Sequence, residues 1–277
     1  MTVAQALAAA YEVLGAAQVP DHTLDAQWLL AEVLSVQRLA LSMMRDMPLD
    51  EAQHAAFQAL ITRRAGREPL QYILGTADFM GQRLLTRPGV LIPRNDTETL
   101  AQMAISRVKP GDKVLDLCCG SGCLAIAIKL ACPQAQVWAS DLSEAAVSLT
   151  RENAGRLGAE ITVALGDLFY PLRGRRFDLI VSNPPYIPAD ELPHLQAEVG
   201  FEPAQALDGG ADGLSFYRRI ISEAPYFLSP GGFLMVEVGD GQAEALMSLP
   251  SPRFHPWRIQ HDLQGLPRAA ETDLKEA

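Results

Sequence analysis

No run of apolar residues in this 277-residue chain reaches the roughly 20 needed to span a bilayer. The start, Met1-Thr2-Val3-Ala4-Gln5, puts no basic segment ahead of an apolar one, so no secretory signal is read there. Cysteine is scarce. Cys118, Cys119, Cys123 and Cys132 fall in one short stretch and form no Cys-x-x-Cys pair. That excludes a disulfide framework and the usual zinc spacing, and it suits a reducing cytoplasm with no bound metal. Positive charge is in deficit: Lys and Arg total 23 against 33 Asp and Glu, a net charge of −10. An acidic chain disfavours nonspecific contact with nucleic acid and anionic membranes, and suits an enzyme that meets a basic partner. The run Arg173-Gly174-Arg175-Arg176 looks like a nucleic-acid patch, but so short a run reads as a solvated turn. The chain is 48% hydrophobic, enough for one large core or two smaller ones.

Three stretches differ in texture. Residues 1–74 read as a small helical domain. Val3, Leu7, Ala10, Tyr11 and Leu14 recur at helical spacing, with Gly15 as a stop. Leu24, Trp28, Leu29, Ala31 and Leu34 give a second stripe, capped by Asp21 or Thr23, and Asp50 opens a third over Ala52, Ala55, Phe57, Leu60 and Ile61. No His, Glu or Asp cluster at ligand spacing occurs there, so its role is either structural or the gripping of a partner protein. Residues 75–93 read as a β-hairpin linker, with extended pieces at 78–85 and 89–92 around an Arg87-Pro88-Gly89 turn. From residue 94 to 277 the chain reads as one α/β domain. Its first helix opens at Arg94-Asn95-Asp96-Thr97-Glu98 and runs to about Val108, with Asn95 or Asp96 as cap. Arg94 and Glu98 are either a capping pair or part of a site.

The chemistry begins at residue 114. Val114-Leu115-Asp116-Leu117 is a short strand, Cys118-Cys119-Gly120-Ser121-Gly122 a tight loop, and 123–132 an apolar helix. Strand, Gly-x-Gly and helix open a Rossmann-like fold, in which glycines let a ligand approach the backbone ahead of a helix N-terminus. The dinucleotide fingerprint wants a third glycine, where Ala125 stands nearest. The pattern Asp116-x-x-x-Gly120-x-Gly122 instead suits a ligand without a pyrophosphate, with S-adenosylmethionine the leading candidate. A second strand, 136–141, ends in Asp141 about 20 residues after the loop, the position that binds ribose hydroxyls, and Leu142 follows it. After a helix at 143–157, a third strand at 161–165 leads to Gly166-Asp167-Leu168. Asp167 could accept from an adenine amine while the Leu168 N–H donates to a ring nitrogen.

A fourth strand, 177–181, ends in Ser182-Asn183-Pro184-Pro185-Tyr186. Two prolines cannot extend a strand, so the chain stops at a polar Asn, a rigid turn and a ring. Asn-Pro is also a common turn pair, so the loop alone decides nothing. Held in a cleft, a planar NH2 group could donate to the Asn183 side-chain oxygen and to the Pro184 carbonyl, with Tyr186 over one face. Four strands deliver Gly-x-Gly, Asp141, Asp167 and Asn183 to one rim, where open α/β sheets bind ligands.

Here the residues resemble the bacterial peptide chain release factor glutamine methyltransferases (HemK/PrmC type). The resemblance rests on Asn183-Pro184-Pro185-Tyr186 and on several further stretches. They are Glu68-Pro69-Leu70-Gln71-Tyr72-Ile73-Leu74-Gly75, Leu91-Ile92-Pro93-Arg94 with Thr97-Glu98, Glu198-Val199 with Phe201-Glu202-Pro203, Ala206-Leu207, and Gly209-Gly210-Ala211-Asp212-Gly213-Leu214. It covers nearly the whole chain. One departure is Cys118-Cys119, where that family has Gly and a small residue; a Cys at the first place is similar to sister enzymes that methylate a glutamine of a large-subunit ribosomal protein. The tail Asp262-Leu263-Gln264-Gly265-Leu266-Pro267-Arg268 resembles the family's closing strand region, with Pro267 and a polar end making a poor last strand.

The resemblance implies a class I methyltransferase sheet behind a helical domain. It implies methyl transfer from S-adenosylmethionine to the glutamine amide of the release factors' Gly-Gly-Gln motif. Asn183, Pro184 and Tyr186 are expected to be catalytic, and with Pro185, Arg94 and Glu98 to bind the substrate. Asp116, Cys118, Cys119, Gly120, Ser121, Gly122, Asp141, Leu142, Asp167, Leu168 and Asn183 are expected to hold the cofactor. Adenine amines of nucleic acid are the less fitting alternative, since the chain shows no basic groove or target-recognition segment.

Overall fold

In the computed structural model, residues 1–262 and 264–276 are described; Leu263, in the expected closing-strand motif, lies outside the described residues. The chain forms two compact units. One takes Met1–Thr76 and Gln196–Phe201, the other Ala77–Leu195 and the chain from Glu202 on.

The first unit is built on α1 (Val3–Ala16), α2 (His22–Leu34), α3 (Glu51–Ala65) and the short α4 (Leu70–Leu74). Thr2 with Gln5 and Asp50 with Gln53 form capping boxes that satisfy the first N–H groups of α1 and α3. Ala6, Ala10 and Leu14 pack with Ala26, Leu29, Leu30, Phe57 and Ile61 in one core. Leu24 and Trp28 are not part of it. They are 40% and 39% exposed, and the Arg38 guanidinium lies 5.3 Å from the Trp28 ring centroid. The inward stripe of α2 runs through Asp25, Ala26, Leu29 and Leu30, and Asp25 is paired there with Arg64, Nε to Oδ2 2.7 Å. Arg64 also reaches Glu198 at 2.9 Å, and Arg67 grips the same carboxylate at 2.6 Å. Burial pushes Glu198 up, but the two guanidiniums outweigh it and hold its pKa at about 2.

The second unit begins with a two-stranded hairpin, β1 (Thr76–Phe79) and β2 (Gln82–Leu85). Its turn is Met80-Gly81, with φ of +49° and +73°, the left-handed pair that short hairpins need. The expected turn at Arg87-Pro88-Gly89 lies downstream, and residues 89–92 form no strand. The Ile92 N–H donates to the Glu202 carboxylate instead of a ladder partner.

There follow α5 (Thr97–Arg107), β3 (Lys113–Leu117), α6 (Cys123–Ala131), β4 (Gln136–Asp141), α7 (Glu144–Leu157), β5 (Ile161–Leu165) and β6 (Phe177–Ser182). Then come α8 (Ser215–Glu223), β7 (Leu228–Glu237), α9 (Ala243–Met247), β8 (Arg258–His261) and β9 (Pro267–Asp273). The seven-stranded sheet runs β5-β4-β3-β6-β7-β9-β8. Its first five strands are parallel, and β9 is antiparallel to both neighbours. Strands buried on both faces read as continuous apolar runs. Leu115, Leu117, Ile180, Leu234 and Val236 face one core with Tyr217 and Ile220 of α8. Val114, Leu179, Val181 and Met235 face the other with Leu100, Ala104, Leu124 and Ile128 of α5 and α6.

The closing strand is better made than its sequence implies. Pro267 opens β9, a place where proline costs no ladder bond, and Ala269, Ala270 and Thr272 are fully buried. Glu271 is held by Arg107 at 2.6 Å and Arg258 at 2.9 Å.

Asp25→Ala should leave Arg64 buried with one carboxylate fewer. Breaking such a pair costs about 3 kcal/mol. Hydrogen exchange should show α2 and α3 losing protection while the sheet keeps its own; unchanged protection in α2 would contradict this account.

Candidate active site

The sheet order reverses between β3 and β6, so the loops that follow them part and leave a crevice at their carboxyl ends. The cleft is open at its mouth, and with that open space counted it holds about 860 Å³. Cys118 and Gly120 line it from β3, Ser140, Asp141 and Leu142 from β4, Gly166, Asp167 and Leu168 from β5, and Asn183 and Pro185 from β6. Val90, Leu91, Gln205 and Phe216 complete the walls.

Asp141 organises the floor. Its Oδ2 accepts from the Gly120 N–H and its Oδ1 from the Ser143 N–H, both at 2.9 Å. Burial raises its pKa against those two bonds. The Thr150 hydroxyl donates to the Gly120 carbonyl at 2.9 Å, and Asn153 Nδ2 to the Ser121 carbonyl at 3.0 Å. A Cβ at Gly122 would lie 2.7 Å from Thr150 Cγ2, so α7 packs on the loop only because the residue is glycine. Cys118 has φ +59°, a left-handed conformation that costs a side chain about 1 kcal/mol or more. Burial pushes the thiols of Cys118, Cys119 and Cys123 far up, Cys123 to about 12, so none is a nucleophile at neutral pH.

Asp116, Cys119, Ser121 and Gly122 do not line the cleft. Asp116 is fully buried and its Oδ2 accepts from the Ala125 N–H, which ties β3 to the first turn of α6. Cys119 Sγ lies 3.4 Å from the Thr150 hydroxyl. Asp167 is in the cleft, with its Oδ2 paired to Arg219 at 2.6 Å.

Asn183 Nδ2 donates to the Thr97 hydroxyl at 3.2 Å, which leaves Oδ1 as the end available for accepting. The Tyr186 hydroxyl donates to Glu237 Oε1 at 3.4 Å, and the Tyr186 carbonyl accepts from Gln242 Nε2 at 2.7 Å. Arg94 and Glu98 lie outside the cleft lining and are engaged within the fold. Arg94 pairs with Glu202, and Glu98 Oε1 accepts from the Met80 N–H in the hairpin turn at 2.7 Å. His194 is exposed on a short 3₁₀ turn, away from these groups. Among the described residues, no cluster of three His, Cys, Asp or Glu is arranged to hold a metal.

Similar proteins place this arrangement. A family model described as PrmC N-terminal domain matches residues 5–75, and one described as Methyltransferase small domain matches residues 83–199. A release factor glutamine methyltransferase of Geobacter sulfurreducens is 49% identical over 232 residues, 83% of this chain and 82% of that protein. Another, of Moorella thermoacetica, is 42% identical over 253 residues, 90% of this chain and 89% of that protein. This chain belongs to the release factor glutamine methyltransferase family. The fold is also that of a methyltransferase from Pyrococcus furiosus, with a TM-score of 0.55 at 16% identity, over 79% of this chain and 98% of that one.

The family's other motifs acquire physical roles here. Glu202, buried, accepts from the Ile92 N–H at 3.0 Å while pairing with Arg94, so Phe201-Glu202-Pro203 pins the segment that walls the cleft. The glycines of Gly209-Gly210-Ala211-Asp212-Gly213 cradle the Tyr186 backbone. A Cβ at Gly209 would lie 2.7 Å from Tyr186 Cα, and one at Gly213 2.3 Å from the Tyr186 carbonyl oxygen. Sequence reasoning gave no role to Thr97, Glu237, Gln242 or Arg219, and did not read α8, β7 or β8. The run Phe233-Leu234-Met235-Val236 after Gly231-Gly232 was the available signal for β7.

Gly213 has φ +70° as well as no room. Gly213→Ala should therefore cost about 1–3 kcal/mol of stability. It should also lower methyl transfer by about 100-fold, through displacement of Tyr186. A folded variant with native turnover would show that the cradle is not needed.

Proposed function

We propose that this enzyme transfers a methyl group from S-adenosylmethionine to the side-chain amide nitrogen of the glutamine in the Gly-Gly-Gln motif of peptide chain release factors. What carries the reading is Asn183: its amide is held by Thr97 at the rim of the cleft with Oδ1 left to accept. The match to relatives named for this activity, over most of both chains, supports the substrate.

The cleft fits S-adenosylmethionine by its donor set. Asp141 is a carboxylate suited to ribose hydroxyls, Asp167 and the Leu168 N–H suit an adenine edge, and Val90, Leu91 and Phe216 are apolar walls. When bound, the cofactor supplies an electrophilic sulfonium methyl. The remaining work falls to the chain. An amide nitrogen is a poor nucleophile because its lone pair is delocalised into the carbonyl. Acceptance of its two N–H bonds by Asn183 Oδ1 and the Pro184 carbonyl orients it and disperses the positive charge that builds as it attacks. Tyr186 covers the amide plane. No strong base is required, since the methylated nitrogen is acidic enough to lose its proton to water. The first unit, which carries no chemistry of its own, is inferred to grip the release factor. A release factor substrate implies a site of action in the cytoplasm. Among the described residues no helix is long and apolar enough to cross a membrane.

Labelled-methyl transfer compared across release factor, a large-subunit ribosomal protein and DNA tests the reading, and should label the release factor. Asn183→Ala should lower turnover by about 100- to 1,000-fold with cofactor affinity kept. Asn183→Asp keeps the acceptor and the size, and should retain more activity than Ala; an equally dead Asp variant would mean that acceptance is not the whole role. Asp141→Ala should weaken cofactor binding by about 1.5–3 kcal/mol, the scale of charged hydrogen bonds. Calorimetry showing native affinity would remove Asp141 from the site.

A further inference from the structure

Behind the Asn-Pro-Pro-Tyr loop lies a carboxyl that the reading above does not use. Glu237 ends β7, next to Val236, which pairs with Ser182 at the end of β6. It is 2% exposed. Its Oε1 accepts from the Tyr186 hydroxyl at 3.4 Å and its backbone carbonyl accepts from the Tyr217 hydroxyl at 2.8 Å, while Thr97 lies near enough to its side chain to favour the ionised form. Its Oε2 has no partner among the described residues. The same Thr97 hydroxyl oxygen accepts from Asn183 Nδ2. Two residues of the loop thus end on one buried carboxyl, Tyr186 directly and Asn183 through Thr97.

We propose that Glu237 is a positioning residue for methyl transfer: as a carboxylate it fixes the direction of the Thr97 hydroxyl, and so which end of the Asn183 amide faces the cleft. This rests on the reading of Asn183 as acceptor for the substrate amide. A carboxylate can only accept. Thr97 must then donate to Glu237, and its lone pair receives the Asn183 NH2, which turns Oδ1 outward. A protonated Glu237 has a hydrogen of its own to donate. The Thr97 hydroxyl is then free to donate to Asn183 Oδ1, and the amide turns over to present NH2 to the cleft. Two donors would then face each other where the substrate amide enters, and the nucleophile would lose its acceptor.

The surroundings place this switch in an accessible range. Burial is the largest influence and pushes Glu237 up to about 7, with Asp96 adding to it and Thr97, Tyr186 and Arg268 opposing. Tyr217 and Cys123 also face Glu237, and Arg94 faces Tyr186. The competent, ionised form therefore grows as pH rises through about 7. Stability runs the other way. A carboxyl whose pKa is raised on folding contributes most below its unfolded value, and loses that contribution as pH rises through the folded one.

The test is kcat at saturating cofactor and release factor between about pH 5.5 and 8.5, for wild type, Glu237→Gln, Thr97→Val and Asn183→Ala. Cofactor affinity and thermal unfolding across the same range accompany it. Wild-type kcat should rise with a midpoint near 7. Glu237→Gln should give a flat profile in this range, with kcat lowered at least about tenfold and both KM and cofactor affinity held within about twofold. Its stability should also lose the fall toward higher pH. Thr97→Val keeps the ionisable group but cuts the link to Asn183, so it too should lose the rise in kcat while keeping the pH dependence of stability. That variant carries the test if Glu237→Gln does not fold. Native turnover with an intact pH limb in either variant overturns the inference, whereas an impaired Asn183→Ala beside it leaves the acceptor reading standing. Native turnover in Asn183→Ala overturns both.

Discussion

At the point where β3 and β6 part, the Ser182 hydroxyl donates to the Leu117 carbonyl at 2.9 Å. This bond closes the last shared rung of two strands whose loops must then diverge, because β4 and β5 lie to one side and β6 and β7 to the other. Everything in the cleft depends on that divergence. One rung lower, Asp116 anchors α6 from inside the fold, where burial pushes its pKa up to about 8 and its Oδ1 has no partner among the described residues. A carboxyl that keeps its proton there adds no negative charge beneath the glycine loop. Asp141 is then left as the carboxylate that shapes the loop's cleft-facing side.

The sheet supplies the floor, but the groups that orient Asn183 and Tyr186 come from outside it. Thr97 belongs to the helix that precedes the sheet, yet it sets the Asn183 amide. Gln242 and the Gly209–Gly213 turn come after β6, yet they hold the Tyr186 backbone from both sides. The Ile187 N–H donates to the Leu207 carbonyl and the Gly209 N–H to the Ile187 carbonyl, so the loop continues as a bridge rather than a free strand end. Under the proposed reading of Asn183 as acceptor, a group held in this way needs no reorganisation during reaction, which is where most electrostatic stabilisation arises.

Four of the five parallel strands, β3 to β6, were legible because each is a short apolar run ending near a residue with a reason to be at the rim. β4 and β5 span the residues expected of them, 136–141 and 161–165. The Asn-Pro-Pro-Tyr loop was legible for the same reason. Side-chain pairing over long sequence separations was not. Nothing local marks Asp25 for the inward face of α2 until Arg64 is seen beside it. Glu98 and Arg94 read as either a capping pair or site charges, and nothing local tells that they will engage Met80 and Glu202. The hairpin turn was misplaced because Arg87-Pro88-Gly89 is the stronger turn signal, while Met80-Gly81 asks a methionine to adopt positive φ. Pro267 misled in the opposite sense, being harmful inside a strand and harmless as its first residue.

The first unit is discontinuous: Glu198, the shared partner of Arg64 and Arg67, lies far along the chain from the helices it completes. A ribosome making this protein releases all four helices early, but the residue that neutralises both guanidiniums emerges only after most of the parallel sheet. Domains generally fold as units as they leave the ribosome. Here the helical unit has to wait in an unfinished state, with Arg67 unpaired and Arg64 paired with Asp25 alone, until residues 196–201 have been made.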